Sequence, residues 1–300
     1  MNYEKLLAGK KVLITSGAHG MGYAISKMFI KHGADVAFCG RNESGKDVEV
    51  EFQKTSPNSF FFQCDVTDND RLDAFCAEAI KRFGYVDTIV NNVGINARDP
   101  VEKIKDEDFD YVFNTNFKPI IRINRNLLPT LIETGKPGSI IHISTVHAQA
   151  TVPLMGSYVA SKGAMTSFSR SMAVELGRFN IRSNIVAPGY VFTMPSTNMV
   201  LKWMKENPGK SYKEELLSRL EHNPLRGDAS LVSMGRADDI AHGCLYFASE
   251  MSSYVTGMVL MQDGGASYQA HKVRDIPVPD YYHDAAVEFH KAFPYPEPKE

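Results

Sequence analysis

The stretch "VLITSGAHGMG", residues 12–22, decides how the rest of the chain is read. An apolar run ending in Thr15 passes through glycine-spaced residues into a helical pattern from about Met21 to His32. At such a junction the first backbone N–H groups of the helix, and its dipole, point at whatever lies above. Glycines let the chain turn tightly and let an anion approach the backbone. The glycines here are Gly17, Gly20 and Gly22, with Ser16 where another glycine would be expected, so the turn does not spell G-x-G-x-x-G. Taken alone, it reads either as a phosphate cradle or as a plain glycine-rich turn.

Moving outward, short apolar runs alternate with longer helical stretches. "KVLIT", "DVAFCG", "FFFQCDV", "VDTIVNNVG", "GSIIHIST", "IRSNIVAPG" and "GMVLMQDGG" are strand candidates. Helices are predicted over Asp68 to Phe83, Asp106 to Glu133 and about Gly156 to Phe179, with a break at Pro119 near Asn116. Runs that are apolar on both faces and rich in Val, Ile and Phe read as parallel strands covered on both sides. The fold class is therefore α/β, a doubly wound parallel sheet of the Rossmann type in one domain over residues 1–267. Residues 194–233 are polar and mixed and read as a substrate lid. Residues 268–300, rich in Tyr, His and Pro, read as a C-terminal extension.

Composition narrows the function classes. A formal net charge of −2 over 300 residues gives no field for nucleic acid or for an acidic membrane surface. No apolar run approaches the ~18 residues of a spanning helix, and the N-terminus carries no signal-peptide pattern. The four cysteines lack C-x-x-C spacing and read as buried thiols in a reducing compartment, so the expected location is cytoplasmic. No His/Cys ligand spacing recurs, and no metal is expected.

In "SYVASKGA", Tyr158 and Lys162 stand at i and i+4, on one helix face. An ammonium beside a phenol favours the phenolate, which lowers the pKa from its usual ~10. Such a tyrosine can exchange a proton with a carbinol oxygen. The strand "SIIHIST" ends in Ser144 and Thr145, whose hydroxyls can bind that oxygen.

Together these motifs resemble the short-chain dehydrogenase/reductase family, in its compact one-domain branch. The matches run in order from about residue 9 to residue 267: Thr15, Gly20 and Gly22; "CDVTD" with Asp65 and Val66; "NNVG" at Asn91, Asn92, Val93 and Gly94; Asn116; Tyr158 and Lys162; Pro188 to Thr193; and "DGG" at 263–265. The resemblance implies a hydride-transferring enzyme that interconverts a secondary alcohol and a ketone. Tyr158 would be the general acid/base, and Lys162 would hold the nicotinamide ribose and lower the tyrosine pKa. Asn116 would anchor a proton-relaying water. Asp65, Val66 and Asn91 would border the adenine and its ribose. Thr15, Ser16, Gly17, His19, Gly20, Met21 and Gly22 would form the pyrophosphate turn. Pro188, Gly189, Val191 and Thr193 would face the nicotinamide. A homotetramer is implied as well, assembled through the long helices and the last strand.

The chain departs from the family pattern at two places. The family's serine stands thirteen residues before the tyrosine; here that residue is Thr145, and Ser144 is fourteen before. The active hydroxyl is assigned to Thr145, with Ser144 turned away; a one-residue insertion in the loop would return the role to Ser144. Ser16 replaces the first glycine of the turn and is tolerable at negative φ, with Gly17 absorbing any strained angle.

NADP is the preferred cofactor, with NAD possible. Gly40 stands where an acid would grip the ribose 2′-OH, Arg41 follows, and His19 precedes Gly20. The substrate pocket is expected from Ile95, Asn96, Val146 to Gln149, Leu154, Met155 and Tyr190, closed by Met194 and Trp203. The reaction alternatives are a 3-oxoacyl thioester reductase and an NAD-dependent polyol or sugar dehydrogenase. A catalytically silent nucleotide sensor is disfavoured because Tyr158 and Lys162 are both present. The tail either lies over a neighbouring subunit or is disordered.

Overall fold

The computed structural model describes residues 3–193, 205–208 and 235–268. Apart from residues 205–208, the expected lid, including Met194 and Trp203, lies outside the described residues, as does nearly all of the expected extension. Residues 1–267 form one compact unit.

Seven strands form one sheet: β1 (Lys11–Ile14), β2 (Asp35–Gly40), β3 (Phe60–Gln63), β4 (Thr88–Asn91), β5 (Gly138–Ile143), β6 (Ile181–Pro188) and, after two short strands, β9 (Val259–Gln262). Their spatial order is β3-β2-β1-β4-β5-β6-β9, and every pair is parallel. Burial explains the reading of β4 and β5, in which every residue is buried. The order reverses between β1 and β4, and the crevice beyond the strand ends at such a reversal is where ligands of this architecture sit. The short strands β7 (Val191–Phe192) and β8 (Gly235–Arg236) pair with each other beyond β6.

The helices are α1 (Gly20–Lys31), α2 (Gly45–Gln53), α3 (Asn69–Phe83), α4 (Asp106–Asn116), α5 (Lys118–Thr134), α6 (Gly156–Leu176) and α7 (Ala237–Ala248). On one face of the sheet α1 and α7 pack together over Val12, Ile14, Val36 and Val90. On the other, α3, α5 and α6 cover Leu13, Ile89 and Ile140. Alternate strand residues supply the two cores, as the pleat requires.

The predicted helix break is where the chain changes helix. α4 ends at Asn116, Phe117 is the junction, and Pro119 opens α5, where a missing N–H costs nothing. Asp68, at the predicted start of α3, caps it by accepting from the amides of Asp70 and Arg71. Helix α7 has no counterpart among the predicted elements.

Candidate active site

The turn after β1 is held by the end of β4. Thr15 Oγ1 accepts from the amides of Asn92 (3.0 Å) and Val93 (3.3 Å). Asn92 Nδ2 donates back to the carbonyls of Thr15 and Ser16, each at 3.2 Å. The expectation for Ser16 is corrected: its φ is +54°, in the left-handed region. The cause is crowding inside the turn. A Cβ on Gly22 would lie 1.9 Å from the Ser16 carbonyl oxygen, so α1 starts directly against that peptide. Gly17 does not absorb the strain. It is needed for space, because a Cβ there would meet Phe38 at 2.6 Å and Ser26 Oγ at 2.9 Å. Gly20 has φ +53° and, with Met21 and Gly22, heads α1, presenting helix-start amides above the sheet. His19 precedes the helix without a side-chain cap, and its Nε2 lies 3.5 Å from Ser44 Oγ.

At the next strand end Arg41 is exposed, and its carbonyl is fixed by Gln63 Nε2 at 2.9 Å. Asp65 accepts from the amide and hydroxyl of Thr67, so its carboxylate shapes the turn before α3. Val66 is buried in the α3 side of the core. Asn91 is buried, with its Nδ2 3.2 Å from His142 Nδ1. The Oδ1 atoms of Asn91 and Asn92 are buried without a hydrogen-bond partner.

Thr145, Tyr158, Lys162 and Asn116 converge beyond the ends of β4 and β5. The Thr145 side chain interacts with the Tyr158 phenol and favours its ionised form. Thr145 Oγ1 also accepts from the His147 amide at 3.2 Å. Ser144 instead directs its hydroxyl at the Lys162 carbonyl, 3.5 Å away. The two neighbours face opposite ways, as strand alternation dictates. Lys162 is buried, and its Nζ donates to the carbonyls of Ile143 (2.8 Å) and, longer, Val93 (3.4 Å). A Cβ on Gly94 would lie 3.1 Å from that Nζ, so this glycine makes room for the ammonium.

The electrostatics correct the simple reading of the Tyr–Lys pair. Burial raises the Tyr158 pKa above its usual value, and the Thr145 side chain opposes the rise. Burial also pushes Lys162 down to about 7. The spacing does set both on α6, but the lysine Nζ donates to backbone carbonyls.

Asn116, also buried, accepts from the Ile95 amide (2.8 Å) and donates to the Ile95 carbonyl (3.0 Å) and to Ser161 Oγ (2.9 Å). Ser161 Oγ in turn donates to the Tyr158 carbonyl at 2.7 Å. Ser161 and His142 are site residues the motifs missed. Ser161 was legible as the hydroxyl beside Lys162 on a helix whose adjoining face carries the pair.

Pro188 ends β6, and Gly189 crosses Asp263 so closely that a Cβ would sit 2.6 Å from the aspartate Cβ. Val191 lies in β7, and Thr193 comes within 3.7 Å of the position a Gly20 Cβ would take. The strand exit therefore returns over the glycine turn. A cavity of about 360 Å³ lies there, lined by Gly20, Tyr23, Ala24, Lys27, Thr193, Ala237 and Asp238. Tyr158 does not line it, so this cavity is separate from the point where Thr145, Tyr158 and Lys162 converge.

Of the expected pocket residues, Leu154 and Tyr190 are about half exposed, while Met155 is buried. Its burial follows from a bridge to Asp99, whose amide donates to the Leu154 carbonyl at 3.1 Å. His147 Nδ1 is 3.2 Å from the Ala150 carbonyl, within its own loop. Among the described residues no group of three His, Cys, Asp or Glu side chains is placed to hold a metal, and no helix is long and apolar enough to cross a membrane.

A parallel sheet with a glycine turn at its reversal and a Tyr–Lys pair beside it defines a dinucleotide-dependent oxidoreductase. The chain matches the short chain dehydrogenase model over residues 10–204, and it belongs to that family. It is 31% identical to the 3-oxoacyl-(acyl-carrier-protein) reductase of Chlamydia muridarum, over 87% of this chain and 99% of that protein. It is 33% identical to glucose 1-dehydrogenase of Gluconobacter oxydans, over 88% of this chain and 94% of that one. Among solved structures it superposes on L-sorbose reductase from Gluconobacter frateurii, complexed with NADPH and L-sorbose, with a TM-score of 0.81, 25% identity, and coverage of 88% and 99%. The protein is thus an oxidoreductase of the kind that acts on CH–OH groups.

The residues present fit a nicotinamide dinucleotide. The glycine turn packs α1 tightly against the end of β1, α1 offers its first amides, and two buried amide oxygens at the end of β4 lack a partner.

Proposed function

We propose that the protein interconverts a secondary alcohol and a ketone with NADP(H), using Tyr158 as general acid/base. The observation that carries this reading is the convergence of Thr145, Tyr158 and the buried Lys162, whose Nζ is held by the Ile143 carbonyl, with Thr145 favouring the ionised Tyr158 phenol. A bound nicotinamide would supply or accept the hydride. Tyr158 gives a proton to the carbonyl oxygen in reduction and takes it back in oxidation. Thr145 holds the same oxygen and steadies developing charge; Ser144, turned to the α6 backbone, supports the strand end. Lys162 binds ribose hydroxyls and, when protonated, places a positive charge near the phenol. Asn116 holds the loop at Ile95 and anchors a relay water towards Lys162.

The turn residues Thr15, Ser16, Gly17, Gly20, Met21 and Gly22 frame the pyrophosphate. Asp65, Val66, Asn91, Asn92, Val93 and Gly94 border the adenosine and the nicotinamide ribose, while Pro188, Gly189, Val191 and Thr193 border the nicotinamide. NADP is favoured because β2 ends in Gly40 without an acid, and Arg41 and His19 lie exposed beside it. NADPH in the L-sorbose reductase complex supports the same preference. The four cysteines are all free and buried, which fits a reducing, cytoplasmic setting. Family membership supports a homotetramer.

The relatives divide between sugar substrates and an acyl-carrier thioester, so the substrate class is tested with both. NADPH and NADH absorbance would be followed with L-sorbose, D-glucose and a 3-oxoacyl thioester. Turnover of at least one, faster with NADPH, is the expected result. Tyr158→Phe should lower kcat about 10²–10⁴-fold. Arg41→Ala should raise the KM for NADPH about ten- to a hundredfold and leave NADH unaffected. Full activity of the phenylalanine variant, or unchanged NADPH preference in the alanine variant, would overturn the corresponding assignment.

A further inference from the structure

A line of buried polar side chains crosses the sheet beneath the site, and the mechanism above leaves its centre unused. His142 is fully buried near the C-terminal end of β5. It stands in register with Asn91 on β4 and with Ile185 on β6. Its Nδ1 lies 3.2 Å from Asn91 Nδ2, and its Nε2 lies 3.4 Å from Ser183 Oγ on β6. Ser183 Oγ is 2.8 Å from Ser169 Oγ on α6. Ser169 follows Lys162 by seven residues, two turns further along the same helix. All these side chains belong to one face of the sheet, so the chain runs from the cofactor edge of β4 to the helix that carries Tyr158.

The partners fix the imidazole. Asn91 Nδ2 can only donate, so Nδ1 accepts and Nε2–H donates to Ser183. A charged ring would lose its acceptor and would face the Lys162 ammonium. Burial, with that ammonium second, pushes the imidazole down to about 3. The ring therefore stays neutral at working pH and keeps one tautomer. With its Nδ2 held, Asn91 has one amide orientation, which leaves its buried Oδ1 without a partner at the end of β4.

We propose that His142 is a positioning residue, which orients the Asn91 amide for the dinucleotide and ties that strand end through Ser183 and Ser169 to the catalytic helix. This rests on the reading that Asn91 borders the cofactor. An unheld amide would have to be ordered when the nucleotide binds, and that cost would appear in affinity.

The test titrates NADPH by fluorescence into the purified full chain and its variants, with thermal unfolding measured in parallel. His142→Leu keeps the bulk and removes both nitrogens. Its folded fraction should bind NADPH about three- to tenfold more weakly. His142→Asn can still accept from Asn91 and should recover most of the affinity. Ser183→Ala, which loosens the far side of the ring, should weaken binding less than the leucine variant. A purely structural role would lower the unfolding temperature while leaving the dissociation constant of the folded protein unchanged, and that result would overturn the proposal. Should His142→Leu fail to fold, the asparagine and Ser183 variants carry the test: the proposal then requires Ser183→Ala to weaken binding, and wild-type affinity in it would overturn it. A wild-type chain that binds neither NADPH nor NADH would instead overturn the functional reading itself.

Discussion

Ser16 is the residue at which this dinucleotide turn departs from an easy conformation. A non-glycine residue in the left-handed region costs about 1–2 kcal/mol, because Cβ approaches the following carbonyl. Nothing in the local sequence gives the sign of φ. It is set by Gly22, which brings α1 against the Ser16 carbonyl, and by Asn92, which reaches that carbonyl from β4. The Asn92 constraint comes from 76 positions away, so the sequence shows the substitution but not the strain. Ser16→Gly should therefore stabilise the protein by about 1 kcal/mol in chemical denaturation. A loss of stability would show instead that the serine hydroxyl holds the turn. The neighbouring choice between Thr145 and Ser144 was open to sequence, because adjacent residues at a strand end must face opposite ways. The role of His142 was not, since its partners come from strands paired across about 40 to 50 positions of sequence.

At the scale of elements, the strands were legible because burial on both faces leaves an unbroken apolar run, as in β4 and β5. Helix α7 was less so. Its buried residues Ile240, Ala241, Cys244, Leu245 and Phe247 do follow helical spacing, and Asp238 and Asp239 occupy its first turn. It follows a long mixed segment and directly before it stands only the two-residue strand β8, so the strand–helix alternation does not announce it. Helix α6 has a different consequence, because it carries Lys162 into the interior, where burial depresses the ammonium pKa to about 7. The usual lysine value is about 10.4, so between these values the unfolded chain holds a proton that the folded chain has released. Where the unfolded state binds more protons, stability rises with pH. Below about pH 7 both states are protonated and the full penalty of burying the charge is felt; it fades as the pH climbs towards 10.4. The stability of the wild type minus that of Lys162→Met should therefore increase between pH 7 and 10, by at most about 1.4 kcal/mol per pH unit. Without bound nucleotide, a flat difference across that range would mean that the ammonium is not desolvated.

For the whole molecule, the surface of the compact unit shows where further copies would be received. Large apolar side chains stand exposed on three helices beside one another in the fold: Tyr111 on α4, Ile121 on α5 and Val174 on α6, the last 86% exposed. Single exposed apolar residues are ordinary, but long helices that display them mark a surface built for association. These are also the long helices through which the family resemblance places the tetramer contacts. Neither Ile121 nor Val174 supports the core, so a charge at each should cost the isolated fold about 0.5 kcal/mol or less. In an assembled interface, the same charges would have to be buried without partners, which costs far more. The wild type should sediment as a tetramer of 33.4 kDa chains. Ile121→Glu combined with Val174→Glu should sediment as a smaller species with an unchanged circular dichroism spectrum. A double variant that remains tetrameric would place the interface elsewhere, and a monomeric wild type would remove the assembly altogether.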